Sequence, residues 1–399
     1  MDVEGGYILK YAIFLLGLAV VFILAYLVSN NRRQIKYKPI LIMLVLQIVL
    51  TYLLLNTGIG LVLIRGIANL FEKLLGYAAD GVNFVFGGIA NKGAMPFFFN
   101  VLLPIVFISV LIGIAQHLRI LPVIIKWIGW LLSKINGLGR LESYNAVASA
   151  VFGQSEVFIS VKKLLGHMPQ HRLYTLCTSA MSTVSASILG AYMTLIDPKY
   201  VVTALMLNLL GGFIIVNIIN PYEVKADEDI IEIQEEKQTF FEMLGEYIMD
   251  GFKVAIIVGA MLIGFVALIS AINDVFNLAF GITFQKLLGY VFAPFAFIVG
   301  VPSSEIVTAG TIMATKLVSN EFVAMLDLAK IKGLSERTLG IVSVFLVSFA
   351  NFSSIGIITG AVKGLHEQKG NEVAKFGLKL LYGATLVSLL SAAVVGVML

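Results

Sequence analysis

Apolar residues run along this chain in long blocks, near 8–29, 39–57, 96–116, 173–196, 200–219, 247–272, 338–362 and 376–398. Each is close to the ~20 residues that carry a helix across a bilayer. The pattern therefore predicts eight membrane-spanning helices. Between them lie segments apolar enough for lipid but broken by Gly, Pro or charge, at 60–86, 118–136, 141–166, 275–290 and 292–320. These are expected to lie along the interface or to enter the membrane and return. Ile64 to Leu75, with Arg65, Glu72 and Lys73 among apolar residues, reads as an amphipathic helix lying along the outer interface or between subunits.

Composition agrees with a polytopic membrane protein, since only 13% of residues are charged, against about 25% in an average soluble chain. The first block follows Met1-Asp2-Val3-Glu4, with no basic region before it and no small-residue cleavage site, so it reads as a retained helix rather than a signal peptide. Basic residues set the orientation. If Arg32, Arg33, Lys36 and Lys38 are cytoplasmic, the same side collects Arg119, Lys126, Lys134, Arg140, Lys162, Lys163, Arg172, Lys363, Lys369, Lys375 and Lys379, and both termini face outward. The connection holding Asp227, Glu228, Asp229, Glu232, Glu235 and Glu236 falls on that side too, where acidic residues count little.

Several function classes drop out. The single cysteine, Cys177, allows no internal disulfide and reads as a small core residue. His117, His167, His171 and His366 lack the i, i+4 pairing around a glutamate that a zinc hydrolase uses, and no phosphate-binding loop is present. No metal, cofactor, nucleic-acid partner or ATP hydrolysis is indicated, so energy for pumping has to come from an ion gradient or a partner.

Two stretches share one arrangement. The first runs from an amphipathic segment ending near Gly139, through a short arm, the cluster Gly153-Gln154-Ser155-Glu156 and a second arm to Leu165, into a span interrupted at Ser182 to Ser187. The second runs from a segment ending near Gly289, through an arm over 292–299, the cluster Val301-Pro302-Ser303-Ser304-Glu305 and a second arm through Lys316, into a span interrupted at Asn351-Phe352-Ser353-Ser354. The loop assignment has the two hairpins entering from opposite sides, an inverted repeat of the kind many secondary transporters use.

Arms of about 12 residues cannot cross a bilayer, so the first hairpin is expected to dip in and return, bending at Gly153. At its tip Gln154 offers an amide, Ser155 a hydroxyl and Glu156 a carboxylate, a set suited to the edge of a nucleobase or similar heterocycle. The plainer alternative is that they cap the half-helices, an expensive use of a buried glutamate. The polar run around Phe349, Asn351 and Ser354 reads as an unwound helix facing a wet cavity or as a Ser/Thr packing face, and Asn351 favours the former. The interruption at Ser182 to Ser187 has no amide or charge, and packing or a functional break fit it equally. On its own, Glu321 reads as an interfacial residue, and Lys316 and Asp327 as surface residues that snorkel or pair.

Read together, Gly153-Gln154-Ser155-Glu156, Leu189-Gly190-Ala191-Tyr192, Asn320-Glu321-Phe322-Val323-Ala324 and Phe349-Ala350-Asn351 resemble the concentrative nucleoside transporter family, in its bacterial branch with the proton-coupled nucleoside permeases. The resemblance implies an all-α homotrimer in the bacterial inner membrane, each protomer with a scaffold and an elevator-type transport domain. In these terms 1–117 are scaffold helices with the interfacial helix, and 118–220 the first transport repeat with its hairpin. Residues 221–273 add a scaffold helix after the acidic loop, and 274–399 the second transport repeat. The resemblance puts Gln154, Ser155 and Glu156 around the base and Glu321, Asn351 and Ser354 around the ribose, with Phe349 nearby and Glu305 as a weaker candidate.

Sodium-coupled members carry an asparagine four positions before the hairpin glycine. Here that position is Ser149, with Thr183 and the carbonyls of Phe152 and Val184 left to complete the cation site. A short hydroxyl makes a poor substitute for an amide oxygen in a five- or six-oxygen cage, so proton coupling through Glu156 or Glu321 is expected. The function implied is secondary active import of uridine-like nucleosides, with sodium coupling or passive facilitation as alternatives. An intramembrane enzyme using Glu156 or Glu321 as base lacks a metal motif, a nucleophile elbow and a Ser-His-Asp set.

Overall fold

A backbone surrounded by lipid has to satisfy its own hydrogen bonds. In the computed structural model, which describes residues 3–87, 97–224 and 238–399, every regular element is helical and no strand occurs among the described residues. The acidic residues from Asp227 to Glu236 lie outside them. The helices are α1 (Val3–Leu27), α2 (Tyr37–Asn56), α3 (Gly58–Phe86), α4 (Pro104–His117), α5 (Ile120–Ser133) and α6 (Arg140–Phe152). They continue as α7 (Lys162–Leu165), α8 (Gln170–Ser182), α9 (Ala186–Met193), α10 (Pro198–Ile219), α11 (Phe240–Phe280) and α12 (Phe284–Ile298). The last five are α13 (Ile306–Val318), α14 (Glu321–Lys330), α15 (Glu336–Leu346), α16 (Phe352–Leu365) and α17 (Glu367–Met398).

Among the described residues seven stretches are long and apolar enough to cross a membrane, one of them the interrupted pair α8 and α9. The eighth expected span is the interrupted pair α15 and α16, whose pieces are each too short alone. The expected interfacial helix proves longer, filling all of α3, and α11 extends past its predicted block on both sides. Cys177 is fully buried in α8. The core is densest around α8, α10, α15 and α17, where α17 alone buries twenty residues.

Polar ties mark the two ends of the molecule. At one, Asn30 donates to Asn220 at 2.8 Å and Asn220 to the His171 carbonyl at 2.7 Å. Beside them Arg172 grips Glu142 through two bonds of 2.5 and 3.0 Å, a bidentate pair that Tyr222 also joins. At the other end Lys199 meets Glu336 at 2.9 Å, and Arg337 donates to the Gly300 carbonyl at 2.7 Å. The first hairpin, α6 with a 3-10 segment over Glu156–Val161 and α7, starts at the first end.

The second hairpin differs from expectation. Its arms are α13 and α14, and its tip is Ser319-Asn320, where Asn320 caps α14 by accepting from Val323 N at 3.0 Å. The 292–299 arm belongs instead to α12, which lies against α13 so closely that a Cβ on Gly310 would fall 2.6 Å from the Gly289 carbonyl. Pro302 to Glu305 is the turn between α12 and α13. Sequence alone points there because Gly300, at φ 100°, and Pro302 are conspicuous turn residues, whereas Ser319-Asn320 is a short cap. Lys316 is a further correction: it is wholly buried on α13, not snorkelling. Asp327 does pair near the surface, accepting from Lys330 at 3.2 Å.

Candidate functional site

At the first tip, α6 ends when Gly153 turns to φ 107°, its N–H still bonding the Ser149 carbonyl at 3.0 Å. Only glycine suits this point, because a Cβ would lie 3.0 Å from both Glu156 Oε2 and Ser185 Cβ as well as strain the backbone. Gln154 is buried and its Oε1 has no hydrogen-bond partner. Ser155 and Glu156 follow, partly buried. The tip thus rests on the break between α8 and α9, where Thr183 and Ser185 are extended.

At the second tip Glu321 and Asn351 are already paired. Glu321, 5% exposed at the start of α14, accepts from the Tyr192 hydroxyl at 2.8 Å and from Asn351 Nδ2 at 2.9 Å, one bond to each oxygen. Asn351 also caps α16, its Oδ1 accepting from Ser354 N at 2.9 Å and from Ser353 Oγ at 2.7 Å. Ser354 Oγ is buried without a partner, and Phe349 is buried as well. The Phe349 N–H donates to the Thr183 carbonyl at 3.2 Å, joining the two helix breaks.

A cavity of about 390 Å³, within the roughly 300–1,000 Å³ of small-molecule sites, opens between the first hairpin and helices α4 and α11. Phe152, Glu156, Ser187, Tyr247 and Asp250 are among its lining. The structure therefore brings Glu321, Phe349, Asn351 and Ser354 together, sets Gln154 to Glu156 on the adjoining break, and opens Glu156 to the cavity. It does not bring Glu305 to either tip. Glu305 sits at the base of the second hairpin, accepting from Ser335 N at 3.1 Å and Ser335 Oγ at 2.8 Å. Ser149 Oγ donates to the Asn145 carbonyl at 2.7 Å and Thr183 Oγ1 to the Ser179 carbonyl at 2.9 Å, each turned back on its own helix. Tyr192 is the member that sequence reasoning left without a role, although it stands in Leu189-Gly190-Ala191-Tyr192, one of the stretches that carry the family resemblance.

Three family models tile the chain: the N-terminal part of the Na+ dependent nucleoside transporters over 16–89, a nucleoside recognition unit over 98–199, and the C-terminal part of the same transporters over 200–396. The purine nucleoside transport protein NupG of Bacillus subtilis is 38% identical over 96% of this chain and 98% of its own. The chain belongs to the concentrative nucleoside transporter family. The nucleoside permease NupC of Helicobacter pylori is 30% identical over 95% of this chain and 96% of its own. Among solved structures, CNTnw in an inward-facing substrate-bound state matches with a TM-score of 0.92 at 28% identity, covering 97% of this chain and 99% of that one. A doubly substituted CNTnw in an outward-facing state also reaches 0.92. As a concentrative nucleoside transporter the protein is a multi-pass membrane transporter and not an enzyme.

Proposed function

We propose that this transporter imports nucleosides with protons, using Gln154, Ser155 and Glu156 for the base and Glu321, Asn351 and Ser354 for the ribose, with Phe349 packing beside them. The reading is carried by the Glu321 carboxylate held between Tyr192 and Asn351. Charged acceptors bind sugar hydroxyls strongly, and the partnerless Gln154 Oε1 and Ser354 Oγ nearby are polar groups that a ligand would satisfy. NupG is named for purine nucleosides, which favours purine nucleosides over the uridine expected from sequence as first substrates. Residues 118–220 and 274–399 form the moving part of an elevator, and 1–117 and 221–273 the scaffold of a homotrimer in the lipid of a bacterial inner membrane.

Ser149 favours the proton, since its hydroxyl, which donates to the Asn145 carbonyl, brings no amide oxygen to a cation. The family's description as Na+ dependent points the other way. Uptake of radiolabelled inosine and uridine into proteoliposomes, with proton and sodium gradients imposed separately, tests the whole reading. Accumulation driven by the proton gradient alone is expected. Uptake that only equilibrates would make the protein a facilitator.

A further inference from the structure

An ammonium withdrawn from water needs an acceptor for each of its three donors, and Lys316 Nζ, fully buried on α13, has three. It donates to the Phe345 carbonyl at 2.6 Å, Ser348 Oγ at 2.6 Å and Ser388 Oγ at 3.2 Å, and stands 4.5 Å from the centre of the Phe345 ring. Those acceptors come from the end of α15, from the break after it and from α17. The last carbonyls of a helix lack partners within it and carry the negative end of its dipole, and Phe345 is the second-last residue of α15. Ser348 and Ser388 also share a 2.9 Å bond, so one amino group ties three elements.

The break in the first half is closed by neutral groups: Thr183 Oγ1 takes the Ser179 carbonyl, Phe349 N the Thr183 carbonyl, and Asn145 Nδ2 the Leu176 carbonyl at 3.1 Å. We propose that Lys316 is a resident cation of the second half, a fixed ammonium that locks hairpin, break and α17 into one body and so positions Asn351, three residues past Ser348, against Glu321. Lys316 is a positioning residue; its effect on ligand rests on the nucleoside reading above, while its effect on the fold does not.

The test compares wild type, Lys316→Ala and Lys316→Met in detergent, by thermal unfolding and by nucleoside affinity. Lys316→Ala should lower Tm and weaken binding by about tenfold or more. Propylammonium, which returns a charged stem to the vacated space, should restore both, and propanol, similar in shape but neutral, should restore neither. Lys316→Met, filling the space without charge, should stay weak with either additive. Equal restoration by propanol, or wild-type Tm and affinity in Lys316→Met, overturns the inference. If neither lysine variant folds, the double variant Ser348→Ala with Ser388→Ala strips two of the three acceptors at little cost in volume. Lowered Tm and affinity are expected there, and wild-type values overturn the inference. The Tm arm needs no nucleoside, so a wild type that binds none would count against the functional reading while the role of Lys316 in the fold is still decided by Tm.

Discussion

At the second hairpin tip both carboxylate oxygens of Glu321 are occupied, and the asparagine that holds one of them is itself fixed as a helix cap. At the first tip Gln154 keeps a partnerless oxygen and Glu156 faces a cavity. If the two tips form the proposed nucleoside site, its second half is largely assembled before any ligand arrives, with only Ser354 Oγ left without a partner, while its first half has bonds still to make. Preorganised groups contribute affinity without an ordering cost, so substitutions at the second tip are expected to cost most.

Glu321→Gln is the largest break. The amide keeps the shape but replaces an acceptor with a donor facing Tyr192 or Asn351, and the charge that suits ribose hydroxyls is gone. We expect affinity to fall by roughly 3 kcal/mol, about a hundredfold, in calorimetry on folded protein. Affinity within a few-fold of wild type would mean the paired carboxylate is a structural tie alone.

Next come Gln154→Ala and Glu156→Ala, each expected to weaken nucleoside binding by about 1–3 kcal/mol while the protein still inserts and assembles. Wild-type affinity in Glu156→Ala would assign the glutamate to closing the hairpin. Asn351→Ala is expected to narrow the gap between ribonucleosides and deoxynucleosides, since a site built around a hydroxyl loses most when that hydroxyl is absent. Free nucleobases competing as well as nucleosides would remove the ribose assignment.

These tips were unequally legible. Gly153-Gln154-Ser155-Glu156 interrupts an apolar run, so both its bend and its chemistry stood out. Glu321 sits where polar residues are cheap to explain, and its partners Tyr192 and Asn351 lie 129 and 30 residues away; only the family resemblance raised it. Pro302 and Glu305 drew the second hairpin one helix too early, because turn chemistry is visible locally and depth in the membrane is not. Lys316 was misread for the same reason: a charge in a sequence gives no depth, and Ser388, one of its acceptors, is 72 residues distant. The eight spans were legible since length and hydropathy are local quantities, which is also why the breaks at Asn351 and Ser182 to Ser187 could be found but only one of them ranked.

Coupling sharpens the same contrast, because a coupled proton, as proposed, would act through Glu156 at one tip or Glu321 at the other. Uptake should rise as external pH falls, collapse with a protonophore and ignore replacement of sodium by choline. A proton symporter is driven by the inward proton gradient, so lowering the outside pH increases the driving force. Ser149→Asn, which supplies an amide oxygen at that position, should add sodium stimulation. Uptake that follows the sodium gradient at constant pH would instead mean that Thr183 and the hairpin carbonyls hold the ion without an amide.

The smallest effect is expected at Glu305, the carboxylate that sequence placed at a tip and the structure places at a base. Its two bonds to Ser335 tie the start of α13 to the cap of α15 near the protein surface, far along the hairpin from Asn320 and Glu321. Glu305→Gln keeps one acceptor oxygen and loses the charge, and a partly exposed tie of this kind contributes about 0.5–1 kcal/mol. Thermal unfolding should show a small drop, with nucleoside affinity and the pH dependence of uptake unchanged. A tenfold loss of affinity would show that the base of the second hairpin governs its tip, and the division between a preassembled and an open tip would then have to include the turn that carries Glu305.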